Sequence, residues 1–174
     1  MIDKAEVLKL LKKSWIWVLI VLSSIAVWAF AFYWAGQTPA DKKFTVWVGA
    51  DYQIESSIKT QVTEVTKKYG MKECNISSYS PDDYYYAAAF GLNSSSIDIF
   101  ILKKAEAETE AQANIFLPLD EKFNIFGEQL IYNEKPIGVK FIGDYYILIN
   151  SRSKKDQQLL FEVVSVFAEN GAVQ

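Results

Sequence analysis

The side chains of this sequence that could do chemistry are carboxylates, tyrosines and lysines, because its 174 residues contain no histidine and one cysteine. That composition excludes Cys/His zinc sites, histidine-based triads and disulfide frameworks. Asp82-Asp83 and Glu106/Glu108/Glu110 suggest acid–base work or an oxygen-rich cation site. A catalytic pair must flank a scissile bond at a fixed separation, and nothing in their spacing does so. They read as a helix cap and a solvated helix face. Tyr84-Tyr85-Tyr86 suggests sugar stacking, yet consecutive helical residues point about 100° apart and cannot form one platform. Cys74, inside an apolar strand pattern, reads as a small buried hydrophobe. No P-loop, Rossmann glycine fingerprint or nucleophile elbow is present. The expectation is a protein without catalytic residues, metal or cofactor. A net charge of −3 without a basic block likewise argues against nucleic acid.

One element dominates the organisation. Trp15 to Ala35 runs for 21 residues without a charge, which at about 1.5 Å per residue matches a hydrocarbon core of roughly 30 Å. Trp15 and Trp17 mark one end and Phe32, Tyr33 and Trp34 the other, where amphipathic rings favour the headgroup regions. Lys4, Lys9, Lys12 and Lys13 precede the span, so the positive-inside rule places the N-terminus in the cytoplasm and the rest outside. Ala29-Phe30-Ala31 has the shape of a signal-peptidase site, but the apolar run exceeds the 7–15 residues or so of a signal h-region. The reading is a basic cytoplasmic segment (1–14), a signal anchor with the bilayer as partner (15–35), a linker (36–43) and an extracytoplasmic domain (44–174).

That domain alternates short apolar strands with helical periodicities, the pattern of βαβ units and a parallel sheet. FTVWVG (44–49) predicts the first strand. Ile54, Ile58, Val62, Val65 and Tyr69 share one helical face, with Gly70 as a stop. Residues 74–79 predict a second strand, and Ser80-Pro81-Asp82-Asp83 opens a helix. Residues 97–102 form an almost continuously apolar third strand, as buried parallel strands do. Ala105–Ala113 predicts a shallowly packed helix with its glutamates in water. Residues 121–136 resist assignment, 139–150 return to strand character, and Ser153–Asp156 caps a last helix burying Leu159, Leu160, Val163, Val164 and Phe167 before Gly171.

FTVWVGADYQ, PDDYYYAAAFGLNSSSIDIFIL, IFLPLDE and GDYYILINSRSKKDQQLLFEVVSVFAENG, in this order, resemble the extracellular solute-binding proteins of ABC importers, in the type II sugar- and oligosaccharide-binding branch. The likeness covers most of 44–119 and 139–171. It implies one lobe of a type II periplasmic-binding-protein-like fold, mainly parallel sheet flanked by helices, behind one transmembrane helix. Family members have two lobes around a ligand cleft. Here residues 120–138 stand where the second lobe would be inserted, and an anchor replaces the family's lipidated cysteine or cleaved signal.

In an open α/β sheet, ligands bind outside the carboxyl ends of the strands where the strand order reverses. This places Gly49, Ala50, Asp51 and Tyr52 beside Lys103 and Lys104, with Tyr145 a further candidate contact. The group reads either as a polar shelf for a small molecule or partner loop, or as ordinary surface loops. Two functions follow. One is a membrane-anchored accessory protein docking on a transporter or other envelope subunit; the other is a one-lobe or dimeric receptor for a small solute such as a sugar.

Overall fold

The computed structural model describes residues 4–50, 53–80 and 94–171, and the chain divides into two units, Met1–Thr38 and Pro39–Gln174. The helix expected from Asp82 onward, with Tyr84–Tyr86, lies outside the described residues.

Helix α1 spans Lys4–Ala35. It is long and apolar enough to cross a membrane, and the large side chains of its apolar run are all exposed. The two serine hydroxyls within the run, Ser23 and Ser24, both donate to the Ile20 carbonyl, at 2.9 and 2.8 Å. Such internal pairing is what an apolar surrounding demands of a polar group.

The second unit is an α/β fold around one six-stranded sheet: β1 (Lys43–Gly49), β2 (Glu73–Tyr79), β3 (Ile99–Lys103), β4 (Gln129–Tyr132), β5 (Lys135–Lys140) and β6 (Tyr145–Ile149), in the order β2-β1-β3-β6-β5-β4. β1 pairs in parallel with β2 and β3, whereas β3–β6, β6–β5 and β5–β4 are antiparallel. The parallel character expected from the sequence therefore belongs to one half of the sheet. The expected strand over 139–150 is a hairpin: β5 ends, the chain turns at Gly143 (φ 54°), and β6 returns.

Alternation along the strands sorts the core into two layers. Val46, Val48, Ile99, Ile101, Ile147 and Ile149 face α2 (Ser56–Lys68) and α4 (Gln157–Gly171). Trp47, Phe100, Leu102, Tyr146 and Leu148 face the other way, onto α3 (Lys104–Ala111). α2 buries Ile58 and Val62 and stops at Gly70 (φ 77°), where Gly70 and Met71 donate to the carbonyls of Lys67 and Thr66; a residue without Cβ enters that conformation freely. α4 buries all five residues expected of it. Gly171, read from the sequence as a stop, is inside α4 and lies so close to Phe141 that an added Cβ would overlap its carbonyl group. α3 seats Ala107 and Ala111 fully in the core, and Glu106, Glu108 and Glu110 are half-buried, not free in water as the sequence suggested.

Residues 121–136 resolve into a 3-10 turn (Glu121–Phe126), β4 and the start of β5. Phe123 anchors the turn against Phe126 and Phe161. The β4–β5 hairpin closes through Asn133 (φ 49°) and Glu134 (φ 64°), between the pair Tyr132–Lys135. Two left-handed residues in a two-residue loop match the twist of the strands they join.

Candidate functional site

The carboxyl ends of β1, β2 and β3 and the amino end of β6 form one rim. Gly49 ends β1 opposite Tyr79 at the end of β2. Lys103 ends β3 opposite Tyr145 at the start of β6, its Nζ 5.8 Å from the Tyr145 ring centroid. A cation over an aromatic face is attracted by the ring's quadrupole. Lys104 opens α3, and its backbone N–H donates to the Asp144 carbonyl at 2.9 Å. Ala50 continues the Val46, Val48 row and is buried in the α2 layer, so it serves the core and offers no surface to a ligand. Asp51 and Tyr52 lie outside the described residues. Of the expected shelf, the structure thus brings together Lys103 and Tyr145, sets Gly49 at the same strand ends, and leaves Lys104 exposed at the start of α3.

Beside this rim sits a cluster that sequence reasoning missed. The Tyr146 hydroxyl, buried under α3, donates to Glu128 Oε1 at 2.8 Å, and Lys140 pairs with the same carboxylate. These partners hold the Glu128 carboxyl below its ordinary range. Burial, followed by the Glu128 contact, pushes the Tyr146 hydroxyl up to about 12. Through these contacts the cluster fastens β6 and β5 to the residue before β4.

At the opposite end of the sheet, where the parallel strands begin, lies a second feature absent from the sequence reading. Asp98 is buried, with Oδ2 accepting from the Thr45 backbone N–H at 3.0 Å and Oδ1 from the Ser153 hydroxyl at 2.7 Å. Asp98 N–H donates in turn to the Thr45 carbonyl, and Asn150 N–H to the Asp98 carbonyl. Asn150 Nδ2 donates to Ile97 at 2.6 Å, and its Oδ1 accepts from Arg152 N–H at 2.9 Å. The start of β1, the start of β3 and the loop after β6 are thereby clasped. Burial raises the Asp98 carboxyl above its ordinary range, against the opposing pull of Ser153, Thr45 and Lys155. The sequence signal was one acid inside the apolar run Ile97-Asp98-Ile99, since a buried carboxylate must find partners. Above the clasp opens a cleft of about 380 Å³, lined among others by Lys43, Ser95, Ser96, Arg152, Lys154 and Lys155.

Among the described residues no group of three His, Cys, Asp or Glu side chains could hold a metal ion. No family model matches the chain, and no curated protein matches it. Among solved structures it is similar to a cyclo/maltodextrin-binding protein complexed with maltotetraose, at 16% identity over 62% of this chain with a TM-score of 0.46. It is similar also to an extracellular solute-binding protein from Staphylococcus aureus in complex with maltose, at 16% identity over 59% of this chain with a TM-score of 0.43. The matched part makes up 30% and 28% of those chains, so this chain spans under a third of either. The α/β assignment rests on the sheet and helices of this chain itself.

Proposed function

We propose that the chain is a membrane-anchored accessory protein whose α/β unit works outside the cytoplasm and docks on a transporter or other envelope subunit. The observation that carries this reading is the course of residues 120–138. The Leu119 N–H donates to Pro136, Phe123 packs on Phe161, and β4 pairs along β5. The segment is therefore spent on completing the sheet edge and covering the α4 face, and among the described residues it builds no second wall over the strand ends beside Gly49 and Lys103. Small-molecule sites bury most of their ligand, whereas a one-sided rim suits a partner surface. The lysines preceding the apolar run of α1 support the inside-to-outside orientation.

A photo-crosslinking residue at Lys103 or Tyr145 in the membrane-embedded chain should give one discrete adduct with another membrane protein, absent when the probe replaces the exposed Thr60 of α2. Recovery of the monomer alone from every position would overturn the docking reading. Protease added to intact spheroplasts should remove the α/β unit; a soluble product beginning near Phe32 would show a cleaved signal instead.

A second reading, a one-lobe or dimeric sugar receptor, is favoured by Tyr79, which sits half-buried at the end of β2 and stacks on Trp47 with ring centroids 5.7 Å apart. Trp47 is the one tryptophan outside α1, so replacing the four in α1 by Phe leaves a single emitter near the rim. No saturable change is expected with maltose or maltotetraose at micromolar concentration, since one lobe buries too little ligand to offset the cost of binding. Saturable binding that is lost on Asp51→Ala would favour the receptor.

A further inference from the structure

We infer that the cleft at the amino ends of the parallel strands is a binding site for a phosphate-type oxyanion, independent of any docking at the opposite rim. After position 35 the sequence carries 14 Lys and Arg against 19 Asp and Glu, yet here the sign reverses. Among the described residues Lys43, Arg152, Lys154 and Lys155 line the cleft together with Ser95 and Ser96, and the acids in the lining are Asp41 and Asp98. Asp98 is buried, and both its oxygens already accept hydrogen bonds within the clasp.

The cations are held at different depths. Lys155 Nζ donates to the carbonyls of Ala40 and Asp41 at 3.2 and 3.0 Å, which fixes its charge in the wall of the cleft. Lys43 is paired across the β1–β2 register with Glu73 at 3.4 Å. Arg152 and Lys154 are exposed on the loop whose backbone the Asn150 and Ser153 contacts pin in place. A guanidinium and an ammonium on a fixed loop, in a cleft also lined by Ser95 and Ser96, are donor types that a tetrahedral oxyanion uses, a planar fork and a point charge. A cation would be repelled by the four basic side chains.

Such a phosphate could belong to an anionic lipid headgroup or to a soluble phosphorylated molecule. The full chain in neutral detergent is titrated calorimetrically with inorganic phosphate in one arm. In the other it is titrated with short-chain phosphatidylglycerol, against short-chain phosphatidylcholine as a control. Saturable binding in the millimolar range or tighter is expected in at least one arm. Inorganic phosphate binding identifies a soluble source; phosphatidylglycerol binding without it identifies the headgroup. The double variant Arg152→Gln/Lys154→Gln should weaken binding by about ten-fold or more with unchanged thermal unfolding, while Arg152→Lys/Lys154→Arg retains most of it. Both variants keep the lysines of α1, so lipid attraction there cancels from the comparison. Absence of saturable binding in both arms, or equal binding by wild type and the Gln variant, would overturn the inference.

Discussion

Strands β2, β1 and β3 run parallel and are joined by long connections, whereas β6, β5 and β4 run antiparallel and are joined by short turns. The two halves share one core but use their residues differently. β3, at the join, is buried from Ile99 to Leu102 on both faces. At the far edge β4 buries Leu130 and leaves Ile131 exposed at 54%. A strand covered on both sides must be apolar throughout, while an edge strand has one face to spare. The stability of the unit should therefore be concentrated where the parallel and antiparallel halves meet.

The sharpest test sets two matched substitutions against each other. Ile101→Asp puts an unpaired charge into the centre of the sheet, which costs several kcal/mol against a total of about 5–15, so the unit should lose its cooperative thermal transition. A folded Ile101→Asp variant would dissolve the contrast. Next in size, Phe123→Ala removes the ring seated between Phe126 and Phe161 and should cost about 3 kcal/mol, read from denaturant unfolding. A much smaller loss would mean that residues 121–126 are a mere connector.

Each half also carries a tyrosine held by a carboxylate. Tyr69 donates to Glu162 at 2.5 Å, joining α2 to α4, and Tyr146 donates to Glu128 beside β5. Both hydroxyls are raised from 10.0 to about 12, Tyr69 chiefly by the Glu162 contact and Tyr146 chiefly by burial. A group whose folded value lies above its unfolded one stabilises fully below the unfolded value. Stability should accordingly be level up to pH 10 and fall as pH rises through about 12. Tyr69→Phe and Tyr146→Phe should each flatten part of that alkaline slope, and a slope unchanged in both would sever it from these pairs. The smallest effect belongs to Ile131→Asp, expected within about 0.5 kcal/mol of wild type because the side chain already faces water.

The same contrast explains what could be read in advance. β1, α2, β3 and α4 were legible because continuous apolar runs or a period of 3.6 residues write burial directly into residue order. The β4–β5 hairpin was not, because its turn uses Asn133-Glu134 where an Asn-Gly signal would announce it, and because Pro136 stands inside β5. That proline is tolerated since pairing with β6 begins only at Gly138. The rim was legible as a place, from the rule about strand ends, but not in its details: Ala50 follows strand alternation into the core, and Lys104 is claimed by α3. The Asp98 clasp and the Glu128–Tyr146 pair join residues 53, 55 and 18 positions apart, a kind of contact that no local pattern encodes.

The position of β1 has a mechanical consequence. The linker enters at Lys43, and β1 pairs in parallel with β2 along its whole length and with β3 over Val46–Val48. A force applied along β1 from its amino end would load these hydrogen bonds in shear, so that they must break together, whereas a strand peeled from an edge loses them one by one. The two Asp98–Thr45 bonds lie near the amino end of β1, where such a load enters. A unit wired in this way resists unravelling from the amino end of β1.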